Sequence, residues 1–222
     1  MKRFLPFIIV GAVALATLGS GAMLYRAKRP HLLTIRPDKA VSGKGTAESI
    51  HIRGNPDAPV TLEEFGDFQC PPCGALEGPL QQIERDYASS LRVIFRNFPF
   101  ANHEHAHGAA YAAEAAGLQG RFWEMHDLLY REQSVWAKSS DVQSLFEAYA
   151  GMIGLNLERF KKDVSGEQVK AKVEEDRKRG EVLGVRNTPT IFINDESVPP
   201  TSLNPTALRA AVDAAVKEKT RS

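Results

Sequence analysis

Cys70-Pro71-Pro72-Cys73 contains both cysteines of this 222-residue chain. An apolar stretch runs up to Phe68 and helical spacing follows Cys73, so the pair stands where a strand hands over to a helix. At a helix N-terminus the first amides lack partners and the dipole favours an anion, which stabilises a cysteine thiolate. A second cysteine three positions on lies within disulfide-bonding reach, and the combination is that of dithiol–disulfide exchange. A structural disulfide with this spacing closes too short a loop to add much stability, and a zinc site needs a second ligand pair that no further cysteine supplies. The fold is constrained as directly. A strand must deliver Cys70 to a helix whose first turn holds Pro71 and Pro72, where a missing N–H costs little.

Val60 to Phe65 reads as that strand, with Val60, Leu62 and Glu64 on one face. The helix runs through Leu76, Leu80 and Ile83 toward Tyr87, and Leu91 to Arg96 forms the next strand. A strand, a helix and a strand in this order imply a parallel pair with a right-handed crossover. Helical periodicity then continues over His105 to Leu118, Phe122 to Arg131, Asp141 to Met152, Asn156 to Val164 and Glu167 to Leu183, broken at Gly117, Gly120, Gly151 and Gly154. Within it Trp123, Met125, Leu129, Trp136, Phe146 and Tyr149 fall at core spacing. Strand character returns at Thr190 to Asn194 with a partner near Ser197-Val198, and Asn204-Pro205 opens a last helix through Leu208, Val212 and Val216. The class is α/β. A β-α-β unit and a C-terminal β-hairpin with helix are separated by a helical insertion over about 102–183.

From Phe4 to Leu24, after Lys2 and Arg3, no side chain is charged, and about 20 such residues can span a bilayer. Residues 1–25 are therefore expected to be a signal anchor, or a signal peptide cleaved near Ser20-Gly21-Ala22. The basic residues that follow, Arg26, Lys28, Arg29 and Arg36, would by charge count keep the C-terminal part in the cytoplasm. Long domains translocate despite such flanks, so export to the cell envelope is expected. Residues 26–54 mix Gly, Ser, Lys and Pro without a sustained period and read as a tether. The remainder, 55–218, holds roughly 170 residues, enough for one buried core. A formal net charge of +1 at pH 7 with no basic stripe argues against a nucleic-acid partner.

Three ordered stretches carry a family likeness: Glu64-Phe65-Gly66-Asp67-Phe68-Gln69-Cys70-Pro71-Pro72-Cys73; Phe98-Pro99 with a His- and Ala-rich helix start after it; and Leu183-Gly184-Val185-Arg186-Asn187-Thr188-Pro189-Thr190-Ile191-Phe192-Ile193-Asn194. On these the chain, from about Asn55 to Lys217, resembles the DsbA-like thiol–disulfide oxidoreductases of the thioredoxin superfamily. The resemblance implies a thioredoxin-like fold with a helical insertion. It also implies a redox-active Cys70–Cys73 disulfide as the reacting group, with no other cofactor and no metal. Cys70 would be the exposed nucleophile and Cys73 the buried resolving thiol. Thr188-Pro189 would face the active site with Pro189 in the cis form, presenting the Thr188 backbone to a substrate strand. Family members often carry an acidic residue at the place of Glu64. A buried carboxyl there would have a raised pKa and could relay the proton of Cys73. The plainer account of Glu63 and Glu64 is a pair of solvated strand-edge carboxylates.

The implied partners are unfolded or reduced exported proteins and a membrane or soluble redox partner that recycles the dithiol. One feature departs from the family. Strongly oxidising members often have His where Pro72 stands, and Pro offers neither that side chain nor an N–H. The expected reduction potential therefore lies between those of thioredoxin and DsbA, roughly −270 to −120 mV. Net oxidation of exported clients is the first expectation, with reduction or isomerisation as the alternative.

Two further classes are to be weighed. His103-Glu104-His105-Ala106-His107 fits H-E-x-x-H, the pattern of a zinc metallopeptidase. It follows Pro99 and Asn102 where a loop or helix start is expected, Ala110 stands where the extended motif has Gly, and only Glu124 and His126 are nearby candidates for a further ligand. A membrane-tethered binding module that uses the scaffold without turnover is the other class, and loss of activity in Cys70→Ser separates it from an exchange enzyme.

Overall fold

The computed structural model describes residues 51–221. The expected anchor at 1–25 and the tether up to residue 50 lie outside the described residues. Among the described residues no helix is long and apolar enough to cross a membrane.

Five strands form one sheet in the order β1-β3-β2-β4-β5: β1 Ile52–Gly54, β2 Val60–Gly66, β3 Leu91–Asn97, β4 Thr190–Ile193 and β5 Glu196–Ser197. The chain passes from β2 through helix α1 (Pro71–Asp86) to β3, which lies parallel to β2 as expected of a right-handed crossover, with Glu64 opposite Phe95. β4 pairs antiparallel with the other edge of β2, placing Ile191 opposite Glu64, and β5 completes the hairpin.

Because β2 is the middle strand, both of its faces are covered, and Glu63 and Glu64 are 5% and 2% exposed. The account of solvated strand-edge carboxylates is thereby overturned. The tether is also shorter than expected. Ile52–Gly54 pairs antiparallel with β3 through Ile52 and Ile94, so the sheet starts before residue 55. The central Arg53 makes this short strand look like linker. Its guanidinium lies 4.2 Å from the Trp123 ring centroid and reaches Glu84 at 3.3 Å and Asp127, so the charge is held within the fold.

The insertion follows β3 and consists of α2 (Ala106–Gly117), α3 (Phe122–Arg131), α4 (Gln133–Trp136), α5 (Val142–Met152), α6 (Leu157–Val164) and α7 (Glu167–Val182). Of these only the one-turn α4 was absent from the periodic pattern. After β5 comes a short turn and α8 (Pro205–Lys219), capped by the Asn204 side chain, which accepts from the Ala207 amide at 3.0 Å.

One face of the sheet, with Val60, Leu62, Val93 and Ile191, packs on Leu76, Leu80 and Ile83 of α1 and on Leu208 and Val212 of α8. Each large side chain so buried contributes about 1.5–3 kcal/mol. On the other face Phe65, Phe98 and Phe192 meet α7. Gly180 allows that approach, since a Cβ there would stand 2.7 Å from Phe98 and 3.0 Å from Phe65. The insertion has its own core of stacked alanines in α2 with Met125, Leu129, Trp136, Phe146 and Phe160, as the helical spacing implied. That core is continuous with Phe68, Cys70 and Cys73.

Candidate active site

Cys70 is the N-cap of α1, in extended conformation, with no side-chain cap on the amides that follow. Pro71 and Pro72 have no N–H, so Cys73 carries the first free amide of the helix. The turn before the helix is set by Asp67. Its carbonyl accepts from the Cys70 amide at 3.0 Å, and its side chain accepts from the amides of Gln69 at 2.7 Å and Phe100 at 2.9 Å. Gln133 of α4 locks the same segment from the other side, donating to the carbonyls of Phe68 at 2.6 Å and Cys70 at 2.9 Å. Gly74 permits this contact, because a Cβ there would lie 2.7 Å from the Gln133 side chain.

Both cysteines are free thiols in this structure. The order of their exposure follows expectation, at 7% for Cys70 and 1% for Cys73, but Cys70 is far from open to solvent. The Thr188 loop covers it, and the Cys70 thiol donates to the Thr188 carbonyl at 3.4 Å. The Thr188-Pro189 bond is cis. The structure thus brings Cys70, Cys73, Thr188 and Pro189 together as the resemblance implied.

The two thiols titrate in opposite directions. Cys70 is pushed down to about 6, chiefly by the hydrogen bond from the Cys73 thiol, against burial and with help from Thr188 and the Cys73 amide. The Thr188 hydroxyl is buried and has no other hydrogen-bond partner among the described residues. A thiolate at Cys70 can no longer donate to the Thr188 carbonyl, so this hydroxyl becomes the donor. Burial first, then the hydrogen bond to Cys70 and the Glu64 charge, push Cys73 up. A reduced pair of this kind holds a thiolate at Cys70 and a proton at Cys73 near neutral pH.

Glu64 lies on the α1 face of β2, between Phe95 and Ile191 in the neighbouring strands. Burial pushes its carboxyl well up, reinforced by the charges of Glu77, Glu84 and Cys70, while Arg53 works weakly the other way. Glu63 faces the opposite layer. Burial there is outweighed by hydrogen bonds from Arg179, at 2.7 and 2.8 Å, and from Arg96, at 2.8 Å, so its carboxyl is held below the usual range.

The histidine-rich stretch borders the site without forming a zinc pair. α2 begins at Ala106, so His103 lies in the preceding turn and does not share one helical face with His107. His103 Nδ1 bonds to Asp67 at 2.7 Å, and the Glu104 side chain is 85% exposed. Potential ligand atoms do converge elsewhere, where Glu77, His126 and Asp127 lie within 4.8 Å of one another. There the Arg53 guanidinium already bonds to Asp127 and lies 3.7 Å from Glu77, taking the place of a cation. Sequence reasoning missed Asp67, Gln133 and Arg53 as parts of the site. Asp67 sits in the quoted motif, three residues before Cys70, but Gln133 and Arg53 carry no local signal.

A family model described as Thioredoxin matches residues 46–214. A protein named Na(+)/H(+) antiporter NhaA 1 from Salinispora arenicola is 39% identical over 166 residues, which are 74% of this chain and 24% of that protein. The chain therefore spans about a quarter of that relative's length. Among solved structures, oxidised BdbD from Bacillus subtilis is similar with a TM-score of 0.67 and 25% identity, over 75% of this chain and 92% of that one. A thioredoxin-like oxidoreductase from Silicibacter pomeroyi DSS-3 is similar with a TM-score of 0.65 and 27% identity, over 76% and 92%. The fold, the paired thiols under a cis-proline loop and these matches together place the chain in the thioredoxin superfamily, among its DsbA-like thiol–disulfide oxidoreductases.

Proposed function

We propose that this protein forms or exchanges disulfide bonds in exported proteins, held at the cell envelope by its N-terminal segment. The observation that carries the proposal is the opposed titration of the two thiols, with Cys70 down at about 6 beside a Cys73 that keeps its proton. A client thiolate attacks Cys70 Sγ of the oxidised pair. The Cys70–Cys73 bond breaks, its electron pair leaves on Cys73, and Cys73 takes the proton of Glu64. A second client thiolate then attacks the client sulfur of the mixed disulfide and releases Cys70 as a thiolate, which is the stable form at neutral pH. Two electrons pass from client to enzyme, and a redox partner removes them.

The Thr188 backbone offers a client strand its hydrogen bonds, which suits binding of unfolded chains with little sequence preference. The long uncharged run at Phe4 to Leu24 supports the envelope location, and a relative named as a Na(+)/H(+) antiporter fits a domain that works at a membrane. The test is the equilibrium reduction potential of the Cys70–Cys73 couple. A value between about −270 and −120 mV supports net oxidation. A value at or below that of thioredoxin makes the protein a reductase.

A further inference from the structure

Glu64 exchanges a proton with Cys73 in the scheme above, yet it is 2% exposed and enclosed by strands on both sides. A proton carrier must in turn be reloaded from water, and the residues around Glu64 contain a route. Gly66 follows Glu64 by two positions in β2, so their side-chain directions share one face, about 6.7 Å apart along the strand. At Gly66 that space is filled by the Tyr130 hydroxyl of α3, which lies 2.8 Å from where a Cβ would stand. The Glu64 side chain spans much of the remaining gap. Gly66 is thus the residue that admits a hydroxyl beside the buried carboxyl.

The Tyr130 hydroxyl is itself buried and has no hydrogen-bond partner among the described residues. Its ring is fixed by Phe68 at 4.9 Å and His126 at 5.0 Å between centroids, in tilted and edge-on contacts. An orphaned buried hydroxyl so tightly held is costly unless it is used. Burial, and then the charges of Cys73, Glu64, Glu77 and Asp67, push its pKa well up, so the O–H stays intact as a donor. Tyr130 also lines a cleft of about 320 Å³ with Gly74, Glu77, Gly78, Gln81 and Asp127, whose rim includes the exposed Gly78 and Arg131.

We propose that the Tyr130 hydroxyl passes protons between the Glu64–Cys73 pair and the cleft lined by Glu77 and Asp127. When Cys73 has taken the Glu64 proton, the Glu64 carboxylate takes one from Tyr130 as the phenol oxygen receives another from water in the cleft. The phenol ends neutral and the net change is one proton drawn from solvent. In the reverse direction, when the Cys73 thiol attacks a mixed disulfide, each transfer runs backwards. Tyr130 acts through Glu64 and is a positioning residue. The inference rests on the proposed proton exchange between Glu64 and Cys73.

Tyr130→Phe removes one oxygen and keeps the ring packing. In the full chain, infrared spectroscopy in D2O follows hydrogen exchange at the protonated Glu64 carboxyl, identified as the band lost in Glu64→Gln, alongside the rate of exchange with a small disulfide. Tyr130→Phe should slow both by about tenfold, the lower part of the range for a lost proton transfer, and should leave the pH profile of Cys70 alkylation in place. Adding Tyr130→Phe to Glu64→Gln should slow disulfide exchange no further. If Glu64→Gln slows the reaction while Tyr130→Phe changes neither readout, or slows the reaction with the band exchanging as fast as in the parent, the Tyr130 route is wrong and Glu64 stands. If Glu64→Gln leaves the reaction unchanged, the Glu64 role falls and the Tyr130 route with it.

Discussion

Glu63 and Glu64 are neighbours in one strand, buried to nearly the same degree, and their surroundings are opposite. On the α7 side Glu63 is gripped by Arg179 and Arg96, Arg96 continues to Asp176 at 3.0 Å, and Lys172 closes on Asp176 at 2.6 Å. The Asn97 amide adds a bond to Asp176 at 3.1 Å, tying α7 to β3. On the α1 side Glu64 meets burial and the like charges of Glu77, Glu84 and Cys70, with two orphaned hydroxyls nearby at Tyr130 and Thr188. Charges matched by partners stabilise a fold and hold their protonation state, whereas mismatched ones lower stability and exchange protons. The paired side serves as scaffold and the mismatched side as chemistry.

Breaking the paired side should have the largest effect. Arg96→Ala strips a buried cation from Glu63 and Asp176 and should lower the unfolding free energy by about 3–5 kcal/mol in urea, with Cys70 alkylation unchanged. A stability equal to the parent's would remove the scaffold half of the contrast. Glu64→Gln should do the opposite. The carboxyl's pKa is raised on folding above its ordinary 4.5, so its ionisation lowers stability progressively as pH rises beyond that value. Removing the charge should therefore stabilise the protein by on the order of 1–3 kcal/mol at pH 7, with no gain at pH 4. Equal gains at both pH values would mean that Glu64 is not a strained acid. The smallest effect is expected at Thr188→Val, where loss of a hydroxyl donor to the thiolate should raise the Cys70 pKa by about half to one unit, read from the pH dependence of alkylation.

The contrast also marks what was legible in the sequence. The order of strands and helices followed from periodicity, Gly breaks and the prolines at 71, 72 and 205, since those signals are local. Cys70 and Cys73 were legible because three-residue spacing at a strand–helix junction is itself the chemistry. Arg53 and Gln133 were not, because each acts across more than 60 residues of chain, Arg53 on Asp127 and Gln133 on Cys70. The burial of Glu63 depends on β2 lying between β3 and β4, a fact of sheet order that one strand's sequence does not carry. Tyr130 looked like a core aromatic at helical spacing, and its ring is one; only the empty side-chain position at Gly66 shows that its hydroxyl stands beside Glu64.

The opposed titration of the two thiols is the centre of the account, and the pH dependence of alkylation in the reduced protein, resolved for each cysteine, tests it most directly. Cys70 should react alone, with an apparent pKa of about 6, and Cys73 should stay unmodified until the protein unfolds. Equal rates at the two positions, or a Cys70 pKa near the 8.5 of a free thiol, would contradict it.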